Sequence, residues 1–319
     1  MKAIRLHSFG SKPIWETVPD PAWPAGSLRL QMRAAPINPA DLNVIEGKYG
    51  RLPPLPATLG LEGTGRVIET AGAGPEFAVG DWVLPMTGGL WAEQVVLPAG
   101  RAVRLPGHFD PLQAAMLKIN PPTAYGLLTH FAPLQPGDWI VQNAANSGVG
   151  RCVIQIARLL GIRTLNVCRR PELIGELTQL GGDICVLEGD DLRAHSVEAK
   201  LAFNAVGGSS ALNISNVLAP GGIHITYGAM ARQGLKMPNG ALIFKDLSFR
   251  GFWVTRWLES MEYPELQRLF DQLARWLEQG KLVQPVDAVF RPDQIGEALE
   301  QAAREKRSGK VLLTFAGEG

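Results

Sequence analysis

The sequence predicts an α/β protein of two domains, a doubly wound parallel sheet joined to a β-rich domain. Three observations carry that prediction. From residue 138 onward, short apolar strands alternate with helical stretches, the pattern of βαβ units and a parallel sheet. Residues 1–106 are instead dense in Pro and Gly with short alternating runs, the texture of a strand-and-turn domain. At 319 residues with 46% hydrophobic content, the chain can also bury more than one core.

In chain order, the β-rich part has alternating strands at 27–33, 65–69 and 92–97. Residues 110–130 read as helical, with a break expected at Asn120-Pro121-Pro122. The alternating part then runs strand 139–142, a small-residue turn, helix 149–160, strand 163–167, helix 172–180 and strand 184–187. Strands at 201–206, 222–227 and 249–254 complete the sheet. The segment 263–279 carries Leu266, Leu269, Phe270, Leu273 and Leu277 at helical spacing, so one face is buried. A final strand, helix and strand at 285–290, 292–306 and 310–315 return to the first domain. The expected division is therefore 1–109 with 285–319 for the β-rich domain, and 110–284 for the doubly wound domain.

Bulk charge narrows the function classes. Lys plus Arg total 31 and Asp plus Glu 30, a net charge of +1, so no global field attracts nucleic acid or an anionic membrane. No apolar run approaches the roughly 20 residues of a membrane helix. Three scattered cysteines, Cys152, Cys168 and Cys185, build neither a disulfide framework nor a zinc knuckle and suit a reducing compartment. With an alternating strand at residues 1–6 in place of a leader, the expectation is a cytoplasmic protein.

Between the first strand and helix of the alternating part lies Asn143-Ala144-Ala145-Asn146-Ser147-Gly148-Val149-Gly150. Against a G-x-G-x-x-G pattern its glycine positions hold Ala145, Ser147 and Gly150. Small residues admit a pyrophosphate close to the backbone, and the helix N-terminus offers unpaired N–H groups to the anion. Outside that context the same stretch is a plain tight turn. An NAD-type site places a carboxylate at the end of the second strand. Here that position is Arg169, followed by Arg170, and two guanidinium groups suit a 2′-phosphate. NADPH is the expected cofactor, against the alternative of a solvated basic pair.

Together Asn38-Pro39-Ala40-Asp41, Gly80-Asp81-Trp82-Val83, Leu134-Gln135-Pro136-Gly137-Asp138 and the small-residue loop resemble the medium-chain dehydrogenase/reductase superfamily over the whole chain. Asn120-Pro121-Pro122-Thr123-Ala124-Tyr125, Tyr227-Gly228-Ala229-Met230, and the stretch from Ile243-Phe244-Lys245-Asp246-Leu247 through Arg250-Gly251-Phe252-Trp253 to Trp257 are similar to the mitochondrial-type 2-enoyl thioester reductases. Zeta-crystallin-type quinone reductases resemble the Asn-Pro-x-Asp block and layout and lack the Phe-Trp block.

The resemblance implies a Rossmann-type domain, a GroES-like catalytic domain, and NADPH-dependent reduction of the C=C bond of an enoyl-CoA or enoyl acyl-carrier thioester. A quinone or enone reductase is the alternative, and an idle nucleotide-binding protein a third reading. The resemblance also implies a homodimer. Its catalytic tyrosine matches Tyr49 in Glu46-Gly47-Lys48-Tyr49-Gly50, where the residue taken alone reads as an aromatic plug in a turn. Its cofactor contacts carry over to Asn120, Asn146, Ser147, Gly148, Val149, Arg169, Arg170, Tyr227, Gly228, Ala229, Met230, Phe252, Trp253, Val254 and Lys310. Asn120 is equally a turn former, and Lys310 equally a solvated strand-end lysine. Trp91 and Trp253 are placed as walls of a substrate pocket, or else as core. Zinc members carry Gly-His-Glu where this chain has Gly60-Leu61-Glu62, so no metal is expected. His7, His108, His130, His195 and His224 are dispersed and read as structural or solvated.

Overall fold

A computed structural model describes residues 1–315 apart from residues 73, 75, 108, 238 and 305. His108 therefore lies outside the described residues. The chain divides into two compact units, one of residues 1–119 with 261–319 and the other of residues 120–260.

The first unit is built on mostly antiparallel sheets, with one parallel pair, Val286–Phe290 beside Lys310–Thr314. Ser27–Pro36 is its central strand, pairing with Thr64–Thr70, with Gln94–Pro98 and with the returning strand Lys310–Thr314. Alternation along it decides the faces: Leu28, Leu30 and Met32 are fully buried while Arg29, Gln31 and Arg33 are half-buried. Lys2–Leu6, between Ile14–Thr17 and Ala57–Thr58, forms a smaller sheet whose Ala3, Ile4 and Leu6 enter the same core.

The second unit carries a six-stranded, all-parallel sheet made by Trp139–Gln142, Arg163–Cys168, Ile184–Leu187, Ala199–Asn204, Leu218–Thr226 and Ser248–Gly251. In space the third, second and first of these strands are followed by the fourth, fifth and sixth, the doubly wound order of dinucleotide-binding sheets. The order reverses between the first and fourth strands, whose carboxyl ends lie side by side. The helix Gly148–Leu160 buries Val153, Ile154, Ile156 and Ala157 and ends at Gly161, whose φ of 72° suits a residue without Cβ.

Two boundaries differ from the sequence expectation. Helix Pro111–Ala115 packs on the central strand of the first unit. Helix Tyr263–Glu278 packs on Ala102–Leu105, and Gln267 donates to the Arg104 carbonyl at 2.8 Å. Periodicity reveals that a helix has an apolar face and is silent about which sheet receives it. The expected break falls just before Asn120, and Pro121 and Pro122 sit in the first turn of helix Asn120–Thr129, where no backbone donor is missed. The strand expected at 249–254 ends at Gly251, and Val254–Glu259 is helical.

Candidate functional site

In the second unit, the small-residue loop leaves the first strand and enters helix Gly148–Leu160 under tight steric control. A Cβ on Gly150 would stand 2.5 Å from the Ala145 carbonyl oxygen and 2.7 Å from that of Ala144, so only glycine fits. A Cβ on Gly148 would stand 2.5 Å from the Asn120 amide nitrogen, so Asn120 lies against the loop backbone. Ser147 caps the helix, its hydroxyl accepting from the Gly150 N–H at 3.1 Å. The remaining first-turn amides have no partner inside a helix, and together with the positive end of the helix dipole they suit a phosphate.

Buried amides hold the loop from beneath. Gln142 donates to the Gly150 carbonyl at 3.0 Å and to Asn166 at 2.8 Å. Asn143 donates to Asn204 at 2.8 Å and to Ser210 at 3.0 Å, and accepts from the Ala205 N–H at 2.8 Å. Arg151, 6% exposed, donates to the Asn146 carbonyl at 3.1 Å and pairs with Glu176 at 2.6 Å. These are the residues that sequence reasoning missed. The signal that could have found them was an amide at or near the end of each of three apolar strands, Gln142, Asn166 and Asn204.

Tyr227 follows the fifth strand. Its hydroxyl is buried with no hydrogen-bond partner among the described residues, and the Ser147 side chain is the group facing it. Burial pushes the phenol above its ordinary value, and Ser147 opposes the shift. A buried hydroxyl facing the small-residue loop adds a polar group suited to a nucleotide cradle. Gly228 packs against Ala205, and Ala229 and Met230 are exposed. Phe252 turns inward: its ring fills the space left by Gly126 and meets Phe131 and Trp257 at 5.6 and 5.7 Å between centroids. Trp253 caps helix Val254–Glu259 and is half-buried. At the end of the second strand, the position where an NAD-type site carries a carboxylate is taken by the exposed Arg169, followed by Arg170, which reaches Glu172 at 3.6 Å. The residues present fit NADPH.

In the first unit, Tyr49 is half-buried on the hydrophobic core, a few residues beyond the close of helix Pro39–Ile45. Trp91, expected as a pocket wall, is 0% exposed within that core. Gly60 at φ +100° explains the difference, because the indole lies where its Cβ would be. Lys310, expected at the cofactor, is buried and donates to the Asn38 side-chain oxygen. A charged cluster surrounds that bond. Asp41 accepts from the Asn38 and Leu61 N–H groups at 2.8 and 3.0 Å. Glu62 accepts from the Asn38 amide at 2.9 Å and the Ile119 N–H at 2.7 Å. Lys118 donates to the carbonyls of Leu61 and Thr87 at 2.7 and 2.6 Å. Burial pushes Asp41 up to about 7 and Lys118 down to about 8. Burial also raises Glu62, opposed first by Lys310.

Comparison with known proteins follows the same division. The alcohol dehydrogenase GroES-like domain family matches residues 24–107, and the zinc-binding dehydrogenase family matches residues 148–272. The mitochondrial enoyl-[acyl-carrier-protein] reductase of Rattus norvegicus is 40% identical over 302 residues, covering 90% of this chain and 81% of the rat protein. That of Homo sapiens is 39% identical over the same shares. The chain belongs to the mitochondrial-type enoyl thioester reductases of the medium-chain dehydrogenase/reductase superfamily.

The complex of Etr1p with NADP and crotonyl-CoA superposes with a TM-score of 0.86 at 28% identity, covering 98% of this chain and 99% of that one. An NADPH:quinone reductase candidate from Bacillus thuringiensis superposes at 0.88 with 26% identity and 98% coverage of both chains. Among the described residues, no group of three or more His, Cys, Asp or Glu side chains is placed to hold a metal. One expectation is corrected: the rat, mouse, human and nematode relatives are all named as mitochondrial, so the cytoplasmic assignment is withdrawn.

Proposed function

We propose that this protein reduces the C=C bond of a trans-2-enoyl thioester with NADPH. The observation that carries the reading is similarity along nine-tenths of the chain to proteins named as enoyl-[acyl-carrier-protein] reductases. NADPH, when bound, supplies the hydride that goes to the β carbon. The chain's part is to hold the cofactor and manage the charge that follows. Asn146, Ser147, Gly148 and Val149 line the pyrophosphate, Arg169 and Arg170 take the 2′-phosphate, and Asn120 and the 227–230 turn serve the nicotinamide half. Hydride addition puts negative charge on the thioester oxygen. The Tyr49 hydroxyl donates a hydrogen bond to that oxygen and then its proton to the α carbon, and the phenolate left behind regains a proton from solvent.

The test is NADPH oxidation driven by crotonyl-CoA. Tyr49→Phe is expected to lower kcat by about 100-fold, and Arg169→Ala with Arg170→Ala to erode the preference for NADPH over NADH. Full activity in Tyr49→Phe removes the tyrosine from the chemistry. The likeness to a quinone reductase candidate supports a second reading, quinone or enone reduction, which faster turnover of a quinone than of any enoyl thioester would select.

The protein forms a homodimer through its second unit. Ser248–Gly251 is an edge strand with one side unpaired, and the neighbouring helix Asn239–Lys245 exposes 70% of Ile243 and 85% of Phe244. Light scattering should return twice the mass of the chain, 34.5 kDa. A monomer that stays monomeric at micromolar concentration rules the dimer out.

A further inference from the structure

The charged cluster of the first unit surrounds the start of the helix that leads to Tyr49, and each of its four charged groups has hydrogen-bond partners. Asp41 and Glu62 together accept four N–H groups, and Lys118 and Lys310 donate to carbonyl or amide oxygens. Two carboxylates face two ammonium groups, and Arg101 is the further charge acting on Lys118. The backbone of Leu61 is held from both sides, its N–H by Asp41 and its carbonyl by Lys118.

Asp41, Glu62 and Lys310 all bond Asn38, the residue that starts helix Pro39–Ile45. Seven residues are too few to hold a helix in place without tertiary anchors. At its far end, the Gly47 N–H bonds the Val44 carbonyl at 3.0 Å, the Lys48 N–H bonds the Asn43 carbonyl at 2.8 Å, and the Gly10 N–H bonds the Ile45 carbonyl at 2.7 Å. Gly47, at φ +71°, lets Phe9 approach to 3.0 Å of where its Cβ would be. One residue beyond Lys48 stands Tyr49, so the placement of its hydroxyl follows the placement of the helix.

We propose that Glu62 is a positioning residue for Tyr49: its carboxylate ties Asn38, at the start of the helix, to the Ile119 backbone, and Lys118 and Lys310 balance its charge. The proposal rests on the catalytic reading of Tyr49. It gives Glu62 a task in a chain whose Leu61 stands where zinc relatives carry a histidine. Asn38 and Ile119 donate to different oxygens of Glu62, so a glutamine at position 62 keeps the volume but presents its NH2 group to one of the two donors.

Glu62→Gln, Lys118→Met and Tyr49→Phe, alone and combined, are assayed with crotonyl-CoA and NADPH, with far-ultraviolet circular dichroism to verify folding. Glu62→Gln is expected to lower kcat by about tenfold while KM for NADPH moves less than about twofold. In the Tyr49→Phe background the same change should cost less than about twofold, because a residue acting through Tyr49 has nothing left to position. Glu62→Asp, which restores the charge, should recover part of the loss. A tenfold loss that persists in the Tyr49→Phe background overturns the proposal, as does unchanged kcat in Glu62→Gln. If Glu62→Gln fails to fold, Lys118→Met carries the same comparison, and the same two results overturn the proposal. Full activity of Tyr49→Phe sinks both the catalytic reading and this proposal. Loss in Tyr49→Phe with no loss in either cluster variant sinks the proposal alone.

Discussion

Each unit organises its functional loop around a buried polar cluster, and the two clusters use opposite chemistry. Beneath the small-residue loop most of the buried groups are neutral: Gln142, Asn143, Asn166, Asn204 and Ser210 exchange amide and hydroxyl hydrogen bonds, with the Arg151–Glu176 pair and Glu188 at the margin. Beneath the helix that leads to Tyr49 they are ionisable: Asp41, Glu62, Lys118 and Lys310. Neutral amides lose little on burial once paired, and their own hydrogen bonds do not titrate. Buried charges are held only while every partner remains, since removing one leaves another uncompensated. The difference teaches where fragility lies.

Leucine substitutions at matched positions would break or sharpen this contrast. Asp41→Leu strands the Asn38 and Leu61 N–H groups beside two ammonium groups, and a loss of about 4 kcal/mol in urea unfolding is expected. Asn143→Leu strands mainly the Ala205 N–H, because Asn204 keeps the Val206 and Gly207 amides and Ser210 keeps Glu188. About 2 kcal/mol is expected there. Equal losses at the two sites would dissolve the comparison.

One buried histidine gives the second unit a pH dependence of its own. His224, 0% exposed, meets Ser215 at 2.7 Å and stacks on Phe249, and burial lowers it from 6.5 to about 4. The folded state favours the neutral ring. Its contribution is complete above pH 6.5 and is lost as pH falls from there through 4, by about 3 kcal/mol. His224→Asn, which can still reach Ser215, should not show that slope, so the difference between wild type and variant across this range isolates it. Parallel pH curves would assign the group elsewhere.

How much of the site is legible in the sequence varies residue by residue. The steric constraint on Gly148 and Gly150 and the strand-end place of Arg169 and Arg170 are legible because they are local: a tight turn, a close backbone and a position at a strand end are all encoded within about 30 residues of one βαβ unit, while the contact with a 2′-phosphate belongs to the proposal. Tyr49 is reached only through resemblance, since one tyrosine in a glycine-rich turn has no spacing that distinguishes chemistry from packing. Trp91 is misplaced because its burial depends on Gly60 and on strands remote in sequence. Lys118 is invisible, being a single lysine near a helix end until the carbonyls of Leu61 and Thr87 receive it.

The sequence by itself determined the two textures of the chain, the doubly wound unit, the place of the small-residue loop between its first strand and helix, and an arginine in place of a carboxylate at the end of the second strand. Periodicity and turn chemistry are local, and local patterns survive in one dimension. Tertiary structure alone decided that helix Tyr263–Glu278 belongs with the first unit, that Phe252 is core, and that Asn38, Glu62, Lys118 and Lys310 meet. Those outcomes depend on which distant surfaces close over a group. Burial, the property that sets both the cost of a charge and the need for a partner, exists only once the chain has folded.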